Sequence, residues 1–222
     1  MDDNGKLNIK TVRRQTLNQK VYEALKLSIL DGDLPPETKL NEVQVAEQLN
    51  VSPTPVREAF RMLASEGLVE IIPWKGVIVK NFSQDEVLEV YQCREALEVL
   101  AVQLAVDKIN EEDLLELDKY IVQSREADSV SQLVDINTKI HSFILNKSGN
   151  KKLDFLLGLL NDVLLHDRNI SAFDVNRRKE IEEEHIELLN ALRGRDIVRA
   201  EEAIRNHIKN GYNYIEKKLK NN

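Results

Sequence analysis

The sequence has few of the residues that interrupt helices and almost none that could form covalent cross-links. Its 222 residues include only 8 glycines and 5 prolines, and leucine, glutamate, lysine and alanine are frequent, so a mainly helical protein is predicted. The single cysteine, Cys93, excludes an internal disulfide and suits a reducing compartment. No apolar run approaches the roughly 20 residues that a membrane-spanning helix needs. Residues 1–5 are polar and acidic, unlike a secretory signal, so we expect a cytoplasmic location without a membrane partner.

Positive charge is also in the minority, which by itself argues against nucleic-acid binding. The chain carries 31 Lys and Arg against 38 Asp and Glu, a net charge of −7. Residues 1–80, however, are balanced, and five basic residues near the start face only one acid, Glu23. This group favours phosphate contacts, with an ordinary solvated helix face as the alternative. Its members are Lys10, Arg13, Arg14, Lys20 and Lys26.

Residues 41–80 show the pattern of a helix-turn-helix followed by two strands. Apolar residues recur at helical spacing from Val43 to Leu49, and Asn50 then suits the turn. The segment 52–55 supplies capping residues and prolines for the start of a second helix, which can enter the major groove. Two β-branched runs, 68–72 and 76–80, flank a turn and complete a winged helix. A winged helix that contacts protein is the alternative to DNA binding.

The rest of the chain predicts an all-α domain. We therefore place the domains at 1–80, a winged helix-turn-helix, and 81–222, a six-helix bundle, with residues 81–83 as the linker. The six predicted helices begin near residues 84, 110, 130, 153, 175 and 196.

The motifs of residues 1–80 resemble the amino-terminal domain of the GntR family of bacterial transcription regulators. The matching residues are Lys39-Leu-Asn-Glu42, Val51-Ser-Pro-Thr-Pro-Val-Arg-Glu-Ala59 and Glu66-Gly-Leu-Val69. The resemblance implies a homodimer that binds a two-fold operator in double-stranded DNA. Pro53 stands where many relatives have arginine, so one base contact is expected to be missing. The expected DNA-binding residues are Ser52, Thr54, Pro55 and Arg57 at the start of the recognition helix, and Lys75 and Gly76 at the wing tip.

The remainder resembles the FCD ligand-binding domain of FadR-type GntR regulators, and its predicted helix count resembles the VanR-like branch. The matching segments are Tyr91–Glu98, Asn137–Ile144, Ser148–Asn150 and Glu184-His185 through His207. The resemblance implies a regulator, not an enzyme, that responds to a small organic acid.

Three histidines are predicted to face the core of the bundle, and two of them to lie side by side. Asn137 and His141 are four residues apart, so they share a helix face. His185 and His207 are equidistant from Asp196 in the turn between two helices, so an antiparallel hairpin places them side by side. Imidazole suits Zn²⁺ or Ni²⁺, and three histidines leave room for an exogenous carboxylate.

The FCD resemblance implies a metal site of one aspartate and three histidines. In this chain Asn137 stands at the aspartate position, and an amide oxygen is a weaker ligand than a carboxylate. We predict a divalent metal, Zn or Ni, held by Asn137, His141, His185 and His207. A structural histidine core, a metal sensor without organic effector and a metalloenzyme are the alternatives.

Arg94 interrupts the apolar stripe of the first helix of the bundle. A buried guanidinium needs an anion. The partner is either Glu98, one turn away, or the carboxylate of the effector, which the resemblance favours.

Overall fold

A computed structural model describes residues 16–221 and shows ten helices and one small sheet in that range. The predicted fold class, mainly α with an amino-terminal winged helix, is confirmed. Lys10, Arg13 and Arg14 of the basic group lie outside the described residues. The helices are α1 (Leu17–Leu30), α2 (Glu42–Gln48), α3 (Pro53–Ser65), α4 (Gln84–Ala105), α5 (Glu111–Arg125), α6 (Val130–Ser148), α7 (Lys151–Leu159), α8 (Asn161–Phe173), α9 (Val175–Arg193) and α10 (Ile197–Asn221). None of these helices is long and apolar enough to cross a membrane.

The sheet has three antiparallel strands in the order β1-β3-β2. They are β1 (Lys39–Leu40), β2 (Val69–Ile72) and β3 (Gly76–Val79). In the β2–β3 hairpin Ile72 pairs with Gly76, so the turn between them forms the tip of the wing. Gly76 has a φ of +99°, a conformation that glycine adopts without steric cost.

The recognition helix α3 is positioned by its apolar face. Ser52 has extended backbone angles at the N-cap, and Pro53 follows at the first helical position, where its missing N–H costs nothing. Val56, Ala59, Phe60 and Leu63 recur at helical spacing and are buried. They pack in one cluster with residues of α1, which fixes α3 against the first helix.

Residues 84–221 form seven helices, so the predicted count of six is wrong. The chain turns at Leu160, between α7 and α8, within the predicted fourth helix. Leu160 donates its backbone N–H to Leu157 across a tight turn. Leucines continue across this turn and conceal it in the sequence. The helix count therefore no longer supports the VanR-like branch.

The winged helix (residues 16–80) and the helical bundle (residues 84–221) meet where Ser131 of the bundle bonds the Lys26–Glu66 ion pair of the winged helix. Lys26 of α1 is only 4% exposed, and its Nζ lies 2.6 Å from Glu66 Oε2 and 2.8 Å from Ser131 Oγ of α6. The Tyr22 hydroxyl lies 2.5 Å from Glu66 Oε1 and 2.8 Å from the same Ser131 oxygen. Lys26 is thus a structural contact rather than the phosphate contact predicted from the basic group, because its charge is buried against Glu66.

A second contact joins the start of α8 to the wing. Lys80 Nζ lies 2.6 Å from Asp162 Oδ2. Gly67 has a φ of +71°, and a Cβ added there would lie 2.7 Å from the backbone carbonyl oxygen of Asp162. Only glycine permits this approach of the two parts of the molecule.

We predict that Gly67→Ala destabilises the protein and loosens the contact with α8. The left-handed conformation costs a non-glycine residue about 1–2 kcal/mol, and the clash with Asp162 adds to this cost. Gly32→Ala is the matched control, because Gly32 also has a positive φ (+86°) but would place its Cβ in open space. Urea unfolding gives the free energy of unfolding, and proteolysis of the linker measures the contact. An equal decrease in the free energy of unfolding in the two variants would show that the close approach of Gly67 to Asp162 contributes nothing to stability.

Candidate functional site

Three buried imidazoles from three helices converge inside the bundle. His141 lies on α6, His185 on α9 and His207 on α10, and one ring nitrogen of each lies within 4.8 Å of the others. The ring centroids of His185 and His207 are 4.8 Å apart, the neighbouring arrangement that the hairpin predicts. The spacing therefore places His185 beside His207 correctly, and His141 joins them as the FCD resemblance implies.

Two carboxylates fix the orientation of two of these rings. His141 Nδ1 lies 2.5 Å from Glu98 Oε2, and His207 Nδ1 lies 2.7 Å from Glu184 Oε2. The opposite nitrogens, Nε2 of His141 and Nε2 of His207, face each other at 3.2 Å. Carboxylates that bond the outer nitrogens of imidazoles are the usual partners of metal-ligating histidines.

The protonation states of this cluster follow from its burial and its partners. Burial lowers the pKa of His141 to about 3, despite the neighbouring Glu98, and also lowers the pKa values of His185 and His207. Burial opposes the ionisation of Glu98, but His141 and Arg94 lower the pKa of this carboxyl well below its usual range. The imidazoles are therefore neutral at neutral pH, while Glu98 is ionised.

Neutral rings and ionised carboxylates determine the position of the protons. His141 and His207 must each donate Nδ1–H to the adjacent carboxylate, so both Nε2 atoms present lone pairs across the 3.2 Å gap. Two lone pairs cannot form a hydrogen bond with each other, and such a gap suits a cation. The donor set is that of a Zn²⁺ or Ni²⁺ site.

Two further atoms lack a hydrogen-bond partner in the same region. His185 Nε2 and Asn137 Oδ1 are both buried without a partner. Both residues line a cavity of about 300 Å³ that also reaches His207. Asn137 lies one helical turn before His141, so its oxygen is a candidate fourth ligand atom.

Arg94 is buried beside the histidines and is already paired. Its Nε donates to Glu98 Oε1 at 2.6 Å, and its Nη2 lies 3.3 Å from His141 Nε2. Of the two predicted partners, the structure contains Glu98. Arg94 also lines the cavity, so it borders the space in which an effector would bind.

Sequence reasoning missed two residues of this region. Glu184, which orients His207, also accepts two hydrogen bonds from Arg177. Arg168 of α8 lines the cavity although no motif includes it. Glu184 directly precedes His185 and lies one helical turn after Glu180, a spacing that could have indicated its position; the sequence contains no comparable signal for Arg168.

The start of α3 exposes three of the four residues predicted to contact DNA. Ser52, Thr54 and Arg57 are exposed, and Arg57 makes a bidentate ion pair with Glu42 at 2.6 and 3.0 Å. Pro55 is buried on the inner face of the helix. Its role as a DNA contact stays a prediction, but the burial of its side chain leaves less of it available to DNA than of the other three.

The wing tip presents Lys75 and Gly76 to solvent. The residue beside them, Trp74, is fully exposed and has a positive φ of 65°. The sequence analysis did not include Trp74 among the DNA contacts. Lys20 of the basic group is also exposed, on α1.

Two protein-family models match almost the whole described range. The model described as "Bacterial regulatory proteins, gntR family" matches residues 17–79, and the model of the FCD domain matches residues 89–210.

Relatives and solved structures agree with these matches. The HTH-type transcriptional regulator YdhC of Bacillus subtilis is 29% identical over 87% of this chain and 86% of its own length. The HTH-type transcriptional repressor RspR of Escherichia coli is 28% identical over the same shares. The structure of E. coli McbR/YncC, at 24% identity, has a TM-score of 0.62 and covers 93% of this chain and 100% of its own. The structure of a GntR family member from Pseudomonas syringae, at 24% identity, has a TM-score of 0.53 and covers 91% of this chain and 86% of its own.

The winged helix, the histidine-containing bundle and the two family matches lead to one assignment. The relatives are transcription regulators, not enzymes. The chain belongs to the GntR family, and it is a DNA-binding transcription regulator with an FCD domain.

Proposed function

We propose that a small carboxylate effector, bound with a divalent metal ion in the bundle, controls the affinity of this regulator for its operator. The observation that carries the proposal is the convergence of lone pairs among His141, His185 and His207. No protein cation lies between the two facing Nε2 atoms in the described residues, although Arg94 borders one of them. A neutral, buried and convergent donor set of this kind favours Zn²⁺ or Ni²⁺.

The residues present fit such an ion. His141, His185 and His207 would supply imidazole nitrogens, and Asn137 would supply its unpartnered oxygen. The ion would act as a Lewis acid that attracts the carboxylate of the effector. Glu98 and Glu184 would hold the rings in place, and Arg94 would present its guanidinium at the cavity wall.

Helix α6 supports a route from this site to the DNA-binding part. Asn137 and His141 lie on α6, and Ser131 of the same helix contacts Lys26 of α1. An effector that moves α6 would change the contact with α1, and α1 packs on the recognition helix. If the protein has two conformations that differ in this contact and in their affinity for the effector, effector binding would be coupled to DNA binding.

A homodimer would present two recognition helices to the half-sites of a two-fold operator. Its support is a set of exposed apolar side chains on two helices that contact each other, since exposed apolar surface marks protein interfaces. These side chains are Leu100 and Leu104 of α4 and Phe155, Leu156 and Leu159 of α7. Sedimentation velocity tests the proposal, and a monomer at concentrations that saturate the operator would contradict it.

A metal sensor without organic effector is the second candidate function. The pairing of Arg94 with Glu98 favours it, because this guanidinium already has an anion. Measurements of operator affinity distinguish the metal sensor from the carboxylate-responsive regulator. They compare metal-free protein, zinc-loaded protein and zinc-loaded protein with carboxylates. We expect zinc alone to leave operator affinity nearly unchanged and a carboxylate to change it. A full response to zinc alone would favour the sensor.

We predict that Arg57→Ala weakens operator binding by about 1–3 kcal/mol, the range for loss of a bidentate base contact. Arg57 is exposed at the start of α3, where side chains reach the major groove. Arg199→Ala is the control, since Arg199 forms a similar exposed bidentate pair, with Glu187, in the bundle. Quantitative footprinting at fixed salt provides both affinities. Unchanged binding by the Arg57 variant would remove this residue from the DNA contacts.

We predict that Asn137→Asp tightens metal binding and weakens effector binding, by about tenfold each at most, or about 1.4 kcal/mol. A carboxylate cancels one unit of the metal's charge, so it binds the metal harder and leaves a weaker field for an anion. Asn146→Asp places the same charge on an exposed position of the same helix and is the control.

Calorimetric titration, first with zinc and then with the acid, measures the two effects separately. Equal zinc affinity in the Asn137 variant and the wild type would show that residue 137 is not a ligand. Absence of zinc binding in all three proteins would identify the histidine cluster as a core feature.

A further inference from the structure

Arg168 differs from most arginines of the cavity because, in the described residues, no carboxylate forms an ion pair with it. Its Nη1 donates to the Thr138 hydroxyl at 2.9 Å, and its Nε is buried without a partner. Among residues 16–221 it forms no ion pair. Asp167 precedes it in the chain and lines the same cavity, but one oxygen of that carboxylate bonds His166 and the other has no hydrogen-bond partner, so Asp167 forms no ion pair with Arg168.

Three neighbouring arginines already pair with carboxylates. Arg94 pairs with Glu98, Arg125 with Glu182, and Arg177 with Glu180 and Glu184. The remaining arginine, Arg178, donates its Nε–H to a backbone carbonyl. Among the arginines of the cavity in the described residues, Arg168 is therefore the one that bonds neither a carboxylate nor a backbone carbonyl oxygen. The negative charges of Glu98 and Asp167 are close enough to counteract the lowering of its pKa by burial, but neither carboxylate pairs with it directly.

The charge on Arg168 persists at neutral pH. Burial and, secondly, the positive charge of Arg94 lower the pKa of Arg168 to about 10, which still leaves it protonated. Arg168 is half-buried with its Nε fully buried, and it bonds no carboxylate directly, so an anionic ligand would reduce the cost of holding its charge there. A guanidinium also offers parallel N–H groups that match the geometry of a carboxylate.

The position of Arg168 relates it to the histidines. Its partner Thr138 is the residue after Asn137 on α6, and Arg168 lines the same cavity as Asn137, His185 and His207. The volume of about 300 Å³ is at the small end of the range for ligand pockets. A small molecule in this cavity would therefore lie against Arg168 as well as against residues of the histidine cluster.

We propose that Arg168 binds a second acidic group of the effector, which makes the effector a small dicarboxylate rather than a monocarboxylate. The inference rests on the proposed function, in which the first carboxylate lies at the histidine cluster. Arg168 then determines specificity, because a monocarboxylate leaves its charge unpaired.

The test compares matched acids on zinc-loaded, full-length protein by calorimetric titration. The dicarboxylates are malonate, succinate, glutarate and adipate, and the monocarboxylates are propionate, butyrate, pentanoate and hexanoate. We expect the best dicarboxylate to bind the wild type at least tenfold more tightly than the monocarboxylate of equal length. Arg168→Gln is expected to lose this preference while it keeps its affinity for monocarboxylates.

Arg125→Gln is the control, because Arg125 also lines the cavity but is exposed and paired with Glu182. It is expected to keep the preference for the dicarboxylate. Thermal unfolding without ligand verifies the fold of Arg168→Gln, which should unfold at no lower temperature than the wild type because an unpaired charge has been removed. If that variant does not fold, Arg168→Lys replaces it: a lysine keeps the charge without the planar fork, and a reduced preference is expected.

The outcomes distinguish the two proposals. Wild-type protein that binds monocarboxylates as tightly as dicarboxylates overturns the role of Arg168 and leaves the proposed function intact. The same conclusion follows if the Arg168 variant keeps its preference. Wild-type protein that binds neither class of acid overturns the proposed function and this inference with it.

Discussion

The arrangement of the bundle depends on two buried carboxylates that hold the outer nitrogens of two histidines. Glu98 bonds both His141 and Arg94, and Glu184 bonds His207 and Arg177. Each carboxylate thus satisfies a guanidinium and an imidazole together, which offsets the cost of burying its own charge. Because both are ionised, the inner nitrogens of the two rings carry lone pairs, and the proposed metal ion would bind in the space between helices α6, α9 and α10.

Much of this architecture could be predicted from sequence, because local patterns specify it. The prolines and apolar spacing of residues 51–63 specify the recognition helix, and the symmetry of the turn at Asp196 places His185 beside His207. The features that could not be predicted depend on contacts between distant segments. Neither the pairing of Lys26 with Glu66 nor the approach of Arg168 to Thr138 leaves a periodic signal. The turn at Leu160 lacked a signal for another reason, since leucines continue through it.

Helices α6 and α8 each connect the cavity to the winged helix. Ser131 and Asp162 lie at the starts of these helices and contact Lys26 and Lys80, respectively, while Thr138 and Arg168 lie further along and contact each other. A ligand held at Arg168 would therefore act on the two helices that touch the DNA-binding part. This arrangement gives the proposed regulation a short physical path, without any requirement for a change in the wing itself.

Because Lys26 is buried, its pair with Glu66 should respond to salt differently from the contacts that the regulator makes with DNA. Salt screens exposed charges strongly and buried pairs much less. The side chains of Lys26 and Glu66 are 5% and 23% exposed, whereas that of Arg57, which is predicted to contact DNA, is 56% exposed. A rise in ionic strength should therefore weaken phosphate contacts with DNA before it weakens the Lys26–Glu66 pair, which Ser131 of the bundle contacts. A regulator built in this way would leave its operator in concentrated salt with its internal coupling intact.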